Sequence, residues 1–429
     1  MIRRLPDDGI WPAGALLFCL AGLLLLSFPS GPSDFDIFYR AAAQFHSGNL
    51  RAVYEWRSGN NPFRYIPFSL LMLEPFAWLP LAHARMLWFG LQYICLMAAL
   101  LLFHRALRIF DPRATWICLL CVLCSFRGWI DACMSGQSTG IMLLAASAGL
   151  YAALRGRHIA MGAWTGFATA IKVVPGIFFF PTLLESPRAF MRVTIGCLGL
   201  VMVATAILAA RVGTEETRKL HHEWVDTVVA DDEYVKVGHV NDQSLKGVLV
   251  RVIRAIERRE GRTAAPDMRI GSGGRVPTPG GAKTAWMLSV LLLGGGFVLA
   301  CAVRRPGSPL GITCAFGVAA CLFLVLNPTS FGYVLPFLIF PIGGLLAARP
   351  GWRPLDWGSD PLLWMTLSVL FVVYGLSGGE LSFLNIHGRI VEKLALPLLA
   401  NLLLTGWLAV LAYRNSMPRL ARSASPETA

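Results

Sequence analysis

Two acids carry the chemical interest of this chain: Asp34 and Asp36, in Ser33–Asp34–Phe35–Asp36–Ile37–Phe38–Tyr39. They follow the first apolar run and open a stretch containing Phe35, Ile37, Phe38, Tyr39 and Phe45, the kind of aromatic content that anchors at a membrane interface. A carboxylate held at such a boundary can take a proton from a hydroxyl, as a general base does. An acid just past a helix end can also do no more than contact water. Spacing leaves both acids open as the base.

Cations form the second set. Lys172 interrupts an apolar segment, where an ionisable side chain points to function; the plainer alternative is a lysine snorkelling at a helix bend. Arg64, Lys246 and Arg251 are further candidates, set against charges that face only solvent or headgroups. Gln137 falls at the end of a hydrophobic segment and suits either a polar substrate or helix packing. Asn241, Gln243 and Ser244 precede an amphipathic helix and suit either substrate contact or capping.

The elements that must position these residues are mostly membrane helices. The chain has 429 residues, 55% hydrophobic and only 15% charged, with mean hydropathy +0.58. Soluble domains carry about 25% charged residues. Segments of about 20 apolar residues, the length of a membrane span, fall near 12–29, 84–103, 114–130, 138–155, 190–211, 284–303, 309–326, 331–348, 361–376 and 394–413. The net charge of +13 fits basic cytoplasmic loops better than a nucleic-acid site. Arg3 and Arg4 put the N-terminus inside, and Arg105, Arg108, Arg155, Arg157, Arg188, Arg192, Arg304, Arg305, Arg349 and Arg414 keep that sign if 159–184 is a hairpin bent near Lys172. The expectation is an all-α polytopic membrane protein of about ten full spans plus a re-entrant hairpin and outer interfacial helices. It forms a single integral domain over 1–429 in the plasma (inner) membrane, with both termini cytoplasmic. Residues 30–83 and 212–283 then lie outside.

Within the first outer loop, the proline-punctuated stretch 62–82 predicts an interfacial helix pair. Within the second, Leu245, Val248, Leu249, Val252, Ile253 and Ile256 predict one apolar helix face, opposite Lys246, Arg251, Arg254 and Arg258, with Asn241 or Asp242 as cap. Residues 261–281 read as a linker.

Against this background the order Asp34–Phe35–x–x–Phe38–x–x–Ala41–Ala42, Gly48, Tyr54 and Phe63–x–Tyr65–x–Pro67 resembles glycosyltransferase family 87. Gly136–Gln137, Ala170–Ile171–Lys172–Val173–Val174–Pro175, Asn241–x–Gln243–Ser244–Leu245 with Arg251, and Asn327–Pro328–x–Ser330 extend the likeness over about residues 30–345. The resemblance implies a GT-C-like fold and an inverting transferase that moves a sugar, chiefly mannose, from a polyprenyl-phosphate donor to a hydroxyl of a glycolipid or glycan acceptor. It implies Asp34 as the base, with Asp36 as runner-up or as an orienting neighbour. The departing phosphate needs cations, for which Arg64, Lys172, Lys246 and Arg251 are candidates; Tyr65, Gln137 and Tyr333 complete the expected binding set. Many relatives carry a Trp-x-His-like sequence where this chain has Phe331–Gly332–Tyr333. His387 and Arg389 are available as substitutes in the last outer loop.

Other function classes fit less well. A transporter predicts midplane charges and two related halves, and no internal repeat is evident. A non-catalytic assembly subunit leaves Asp34 and Lys172 without a role. No nucleotide-binding GxxxxGK[ST] loop occurs. Neither cofactor nor metal is called for, since two neighbouring acids are thin support for a hard-cation site. The ten cysteines fall mostly in apolar runs, with Cys133 expected in an outer loop, so no disulfide framework follows. The apolar run 13–28 lacks a convincing cleavage site and reads as a retained helix rather than a signal peptide.

Overall fold

The computed structural model describes residues 33–54, 63–184, 186–230, 244–260, 280–306, 308–327, 332–349, 351–352, 356, 358–375, 395–414 and 416–418. The expected first span at 12–29 and residues 261–279 of the expected linker lie outside these residues, as do His387 and Arg389, while Gly280 and Gly281 at the linker's end open a helix. The described chain is helical apart from two three-residue strands, β1 (Arg304–Pro306) and β2 (Ser416–Pro418), which pair antiparallel.

The first helix, α1 (Asp34–His46), buries Phe35, Phe38, Ala41, Ala42 and Phe45, a set spaced to line one face of a helix. Its cap is built from its own acids. Asp36 reaches back to the Ser33 amide, and the Asp34 amide donates to the Ser135 carbonyl at 3.0 Å. A short helix α2 (Phe68–Ala77) follows, and then α3 (Leu81–Leu107), which starts three residues before the expected span. Residues 62–82 therefore hold one short helix running into the long one.

Helices α4 (Ala114–Cys124) and α5 (Phe126–Met134) replace the straight span expected at 114–130, with a 69° bend between them. The Ser125 hydroxyl donates to the Cys121 carbonyl at 2.7 Å. This back-bonding competes with the helical ladder and is a known cause of bending. The bend carries the chain on as helix, so Cys133 lies buried on α5 rather than in a loop.

Helix α6 (Thr139–Leu154) leads to α7 (His158–Ile171); the chain then reverses at Lys172 into a 3-10 segment, Val174–Leu184, and enters α8 (Pro187–Val212). Helices α7 and α8 run parallel, since Gly162 lies against Val193 and Gly166 against Cys197. Parallel neighbours require the chain to travel back between them. The 11 residues of the 3-10 segment, at about 2 Å each, cover roughly the 21 Å rise of the 14-residue α7. The backbones approach closely because the contacts are glycine. A Cβ on Gly162 would stand 2.0 Å from the Val193 carbonyl oxygen, and one on Gly196 would stand 2.1 Å from that of Ile159.

Helix α9 (Thr214–Trp224) continues past α8, and α10 (Leu245–Arg259) lies in the second expected outer loop. Its cap is Ser244, whose hydroxyl accepts from the Gly247 amide at 2.9 Å. Leu245, Val248, Leu249 and Ile253 of the expected apolar face pack against the protein, but Val252 and Ile256 are about half exposed, whereas Val250, Lys246 and Arg254 are buried. Lys246 is covered by the Trp286 ring, 5.4 Å from its ammonium, on α11 (Gly280–Ser289). A long side chain can lay its stem and charge on an aromatic face, so a lysine can be buried on the same side as Val250.

The remaining bundle comprises α12 (Gly295–Val303), α13 (Pro309–Leu326), α14 (Ile339–Ala347), α15 (Pro361–Leu370) and α16 (Leu396–Arg414). Among the described residues, four helices are long and apolar enough to cross a membrane, Leu81–Leu107, Pro187–Val212, Gly281–Leu299 and Pro309–Leu326, and the bent α4–α5 pair makes a fifth when counted as one span. The protein is thus a polytopic, helical membrane protein. Segments 139–154, 333–347, 361–374 and 396–411 are apolar but shorter.

Contacts sort the helix ends into two groups. At one end, Arg113 pairs with Asp111 at 2.7 Å and donates to the Arg349 carbonyl at 2.7 Å, while β1 pairs with β2. At the other end lie the start of α1, the α5–α6 turn and Lys172. A separate aromatic core holds that second end together: Phe35 stacks on Trp88 at 5.4 Å, and Phe38 meets Tyr65 edge-on at 4.8 Å. Such pairs each add about 0.5–1.5 kcal/mol beyond their burial.

Candidate active site

Asp34 sits in the first turn of α1, half-buried, where the helix dipole favours a negative charge. Its Oδ2 accepts from the Gln137 side-chain amide at 2.5 Å. Gln137 follows Gly136, whose left-handed backbone (φ +70°) allows the tight turn between α5 and α6. A Cβ there would stand 2.9 Å from the Phe35 amide nitrogen, so glycine lets this turn press against the start of α1. Trp88 of α3 fixes the turn from behind, donating from its indole to the Gly136 carbonyl at 2.8 Å.

The other end of the Gln137 amide is also held. Its Oε1 accepts from the Tyr65 hydroxyl at 2.5 Å, and the Ser138 hydroxyl donates to that same phenol oxygen at 3.0 Å. Tyr54 donates to the Tyr65 carbonyl at 2.9 Å, which anchors the loop carrying Tyr65. Lys172, at the reversal after α7, holds its ammonium 6.0 Å from the centre of the Tyr65 ring. Among the described residues, the charges of Asp34 and Arg64 act on that ammonium. The site therefore gathers a carboxylate, an oriented amide, a phenol and two cations from four separated stretches of chain.

Asp36, two residues on, has a different environment. Its Oδ1 pairs with Arg85 of α3 at 2.8 Å, and its Oδ2 accepts from the Ser33 amide at 3.2 Å. Both oxygens are engaged in holding the helix start. Among the described residues Asp34 Oδ1 has no hydrogen-bond donor, which leaves that oxygen able to receive a proton. A small, mainly apolar cavity lies against Tyr65, between Phe38, Leu73, Trp88 and Ile171. No group of three or more metal-ligating side chains occurs among the described residues.

The remaining expected residues fall elsewhere. Ser244 caps α10 and Lys246 faces Trp286, so these two belong to the contact between α10 and α11. Arg251 is on the same helix. Tyr333 packs on the main bundle core. Asn241, Gln243, Pro328 and Ser330 lie outside the described residues. Sequence reasoning passed over Ser138, Trp88 and Arg85. Ser138 could have been suspected from its adjacency to Gln137; Trp88 and Arg85 carried no local signal, because their partners lie about 50 residues away.

A helical membrane protein that gathers an acid, an amide and cations from separate stretches of chain holds groups suited to proton transfer and to binding an anion. The family model of glycosyltransferase family 87 matches residues 63–328, more than half of the chain, and the protein belongs to that family. It is accordingly a membrane glycosyltransferase. The matched segment contains Tyr65, Gln137 and Lys172, while Asp34 and Asp36 precede it. No curated protein and no solved structure matches the chain.

Proposed function

We propose that the protein is an inverting, GT-C-like transferase that moves a sugar, mannose first among the candidates, from a polyprenyl-phosphate donor to a hydroxyl acceptor on the extracytoplasmic face. In this reading Asp34 Oδ1 takes the acceptor hydroxyl proton. The acceptor oxygen bonds to the sugar anomeric carbon as the bond from that carbon to the phosphate oxygen breaks. The phosphate leaves with the bonding electrons and is met by Lys172 and Arg64, charge-assisted partners for a phosphomonoester. Tyr65 presents a ring and a phenol beside that point. Lys246, Arg251, Asn241, Gln243, Ser244 and Tyr333 belong to the same reading as contacts made with the donor lipid or acceptor from the second outer loop and the turn after α13.

The supporting observation is a half-buried carboxylate with one oxygen held by Gln137, on a network whose Tyr65 ring also faces the Lys172 ammonium at 6.0 Å. The same reading takes ten crossings, with residues 30–83 and 212–283 outside and both termini cytoplasmic in a plasma membrane. The acceptor is a glycolipid or glycan.

The test is donor choice. Membranes containing the protein should transfer labelled sugar from polyprenyl-phosphate mannose to an endogenous acceptor, and should not do so from GDP-mannose once synthesis of the lipid donor is blocked. Direct use of the nucleotide sugar under that block would refute the lipid-donor reading.

A further inference from the structure

Gln137 reads from sequence as a sugar-binding amide, yet both ends of its side chain are already engaged by protein. The direction of each bond is fixed by chemistry. Ser138 donates to the Tyr65 oxygen, which leaves the phenol proton for Gln137 Oε1. The Gln137 NH2 must then face Asp34, and an ionised carboxylate can only accept. Turning the amide over would set its carbonyl oxygen against the carboxylate. Resting on the proposed role of Asp34 as the base, we propose that Ser138, Tyr65 and Gln137 form a positioning relay. It locks Asp34 Oδ2 in place and presents Oδ1 to the acceptor.

The relay differs from a packing contact in what it predicts for pH. Hydrogen bonding to the charged form favours that form, while a second carboxylate at the same place disfavours it. The other charged groups around α1 include Lys172 and Arg64 beside the site, Asp36 with Arg85 in the same turn, Arg40 one turn on, and Glu74 with Arg211 and His46 at its far end. All of these remain in variants of the relay, so a change in profile reports the relay itself.

The experiment compares wild type with Gln137→Glu, Gln137→Leu and Tyr65→Phe, using labelled polyprenyl-phosphate mannose in washed membranes across a pH series. Gln137→Glu is nearly isosteric and should move the acidic limb of kcat upward by about one pH unit or more. Gln137→Leu and Tyr65→Phe should lower kcat by about tenfold or more while changing the donor KM by less than about threefold, the pattern of an interaction used in the transition state. Thermal melting of each solubilised variant separates this from unfolding. Gln137→Glu with the wild-type pH profile, or Gln137→Leu with wild-type kcat, would overturn the relay. If instead Asp34→Asn keeps wild-type turnover, the base assignment fails and takes the relay with it. An inert Asp34→Asn with unshifted relay variants removes the relay alone.

Discussion

Asp34 and Asp36 are two residues apart on one helix turn, and their surroundings give them different tasks. Asp36 closes the cap and pairs with Arg85, both partly shielded from water. Replacing it with asparagine keeps the cap but removes the charge opposite Arg85. A charge-assisted hydrogen bond of this kind contributes about 1.5–3 kcal/mol, so Asp36→Asn should lower the melting temperature while leaving kcat within about threefold of wild type. Calorimetry on purified protein together with the transfer assay checks both parts. A collapse of kcat in a stable Asp36→Asn protein would return Asp36 to the chemistry. These acids were legible in the sequence because a carboxylate is conspicuous in an apolar chain. The direction of the Gln137 amide was not, since the partner that sets it, Tyr65, lies 72 residues away.

At the level of elements, the reversal at Lys172 depends on how closely α7 and α8 approach. Gly162 and Gly166 are four residues apart on one face of α7, a small-residue spacing that lets membrane helices meet at their backbones. Gly162→Val should cost at least about 2 kcal/mol by overpacking and should displace Lys172. Thermal unfolding in detergent reads the first effect and donor KM the second; unchanged values for both would contradict this account of the hairpin. Proline and Lys172 made the interruption legible from sequence, but not the bend at Ser125, where one side-chain hydrogen bond decides the path. Nor was the burial of Lys246 legible, because Trp286 lies 40 residues away and periodicity reports only the helix's own moment.

A second element-level contact ties α2 to the ends of α1 and α8. Glu74 accepts from Arg211 at 2.6 Å and lies 3.3 Å from His46. The Arg211 hydrogen bond holds the Glu74 carboxyl below its ordinary value; His46 adds to this and burial opposes it. A depressed acid contributes its full stability above the ordinary glutamate value of about 4.3 and loses it as pH falls through the lower, folded-state value. Wild type should therefore lose thermal stability in that acid range, and Glu74→Gln should start less stable near neutrality and show a flatter acid dependence. Parallel acid dependences of the two proteins would remove Glu74 from the linkage.

Across the whole molecule, the contacts of Arg113 with the Arg349 carbonyl and of β1 with β2 gather basic loops at one end, while Asp34, Gln137, Tyr65 and Lys172 gather at the other. Charge counting along the sequence assigns these basic loops to one side, because lysine and arginine resist translocation in short loops. Helix lengths were less legible: several apolar segments are too short to span unaided and depend on neighbours for burial. Cysteine substituted at the exposed Ser47 should react with an impermeant reagent added outside intact cells, and cysteine at Arg188 only after permeabilisation. Labelling of position 188 from outside would reverse the proposed sidedness of α8.

The central claim is that Asp34 removes the acceptor proton, and its most direct test is the turnover of Asp34→Asn with labelled polyprenyl-phosphate mannose as donor. Loss of a positioned general base costs about 10²–10⁴-fold in rate. A properly inserted Asp34→Asn protein should lose at least about a hundredfold in kcat with its melting temperature near that of wild type. Turnover of the folded variant within a few-fold of wild type would contradict the account.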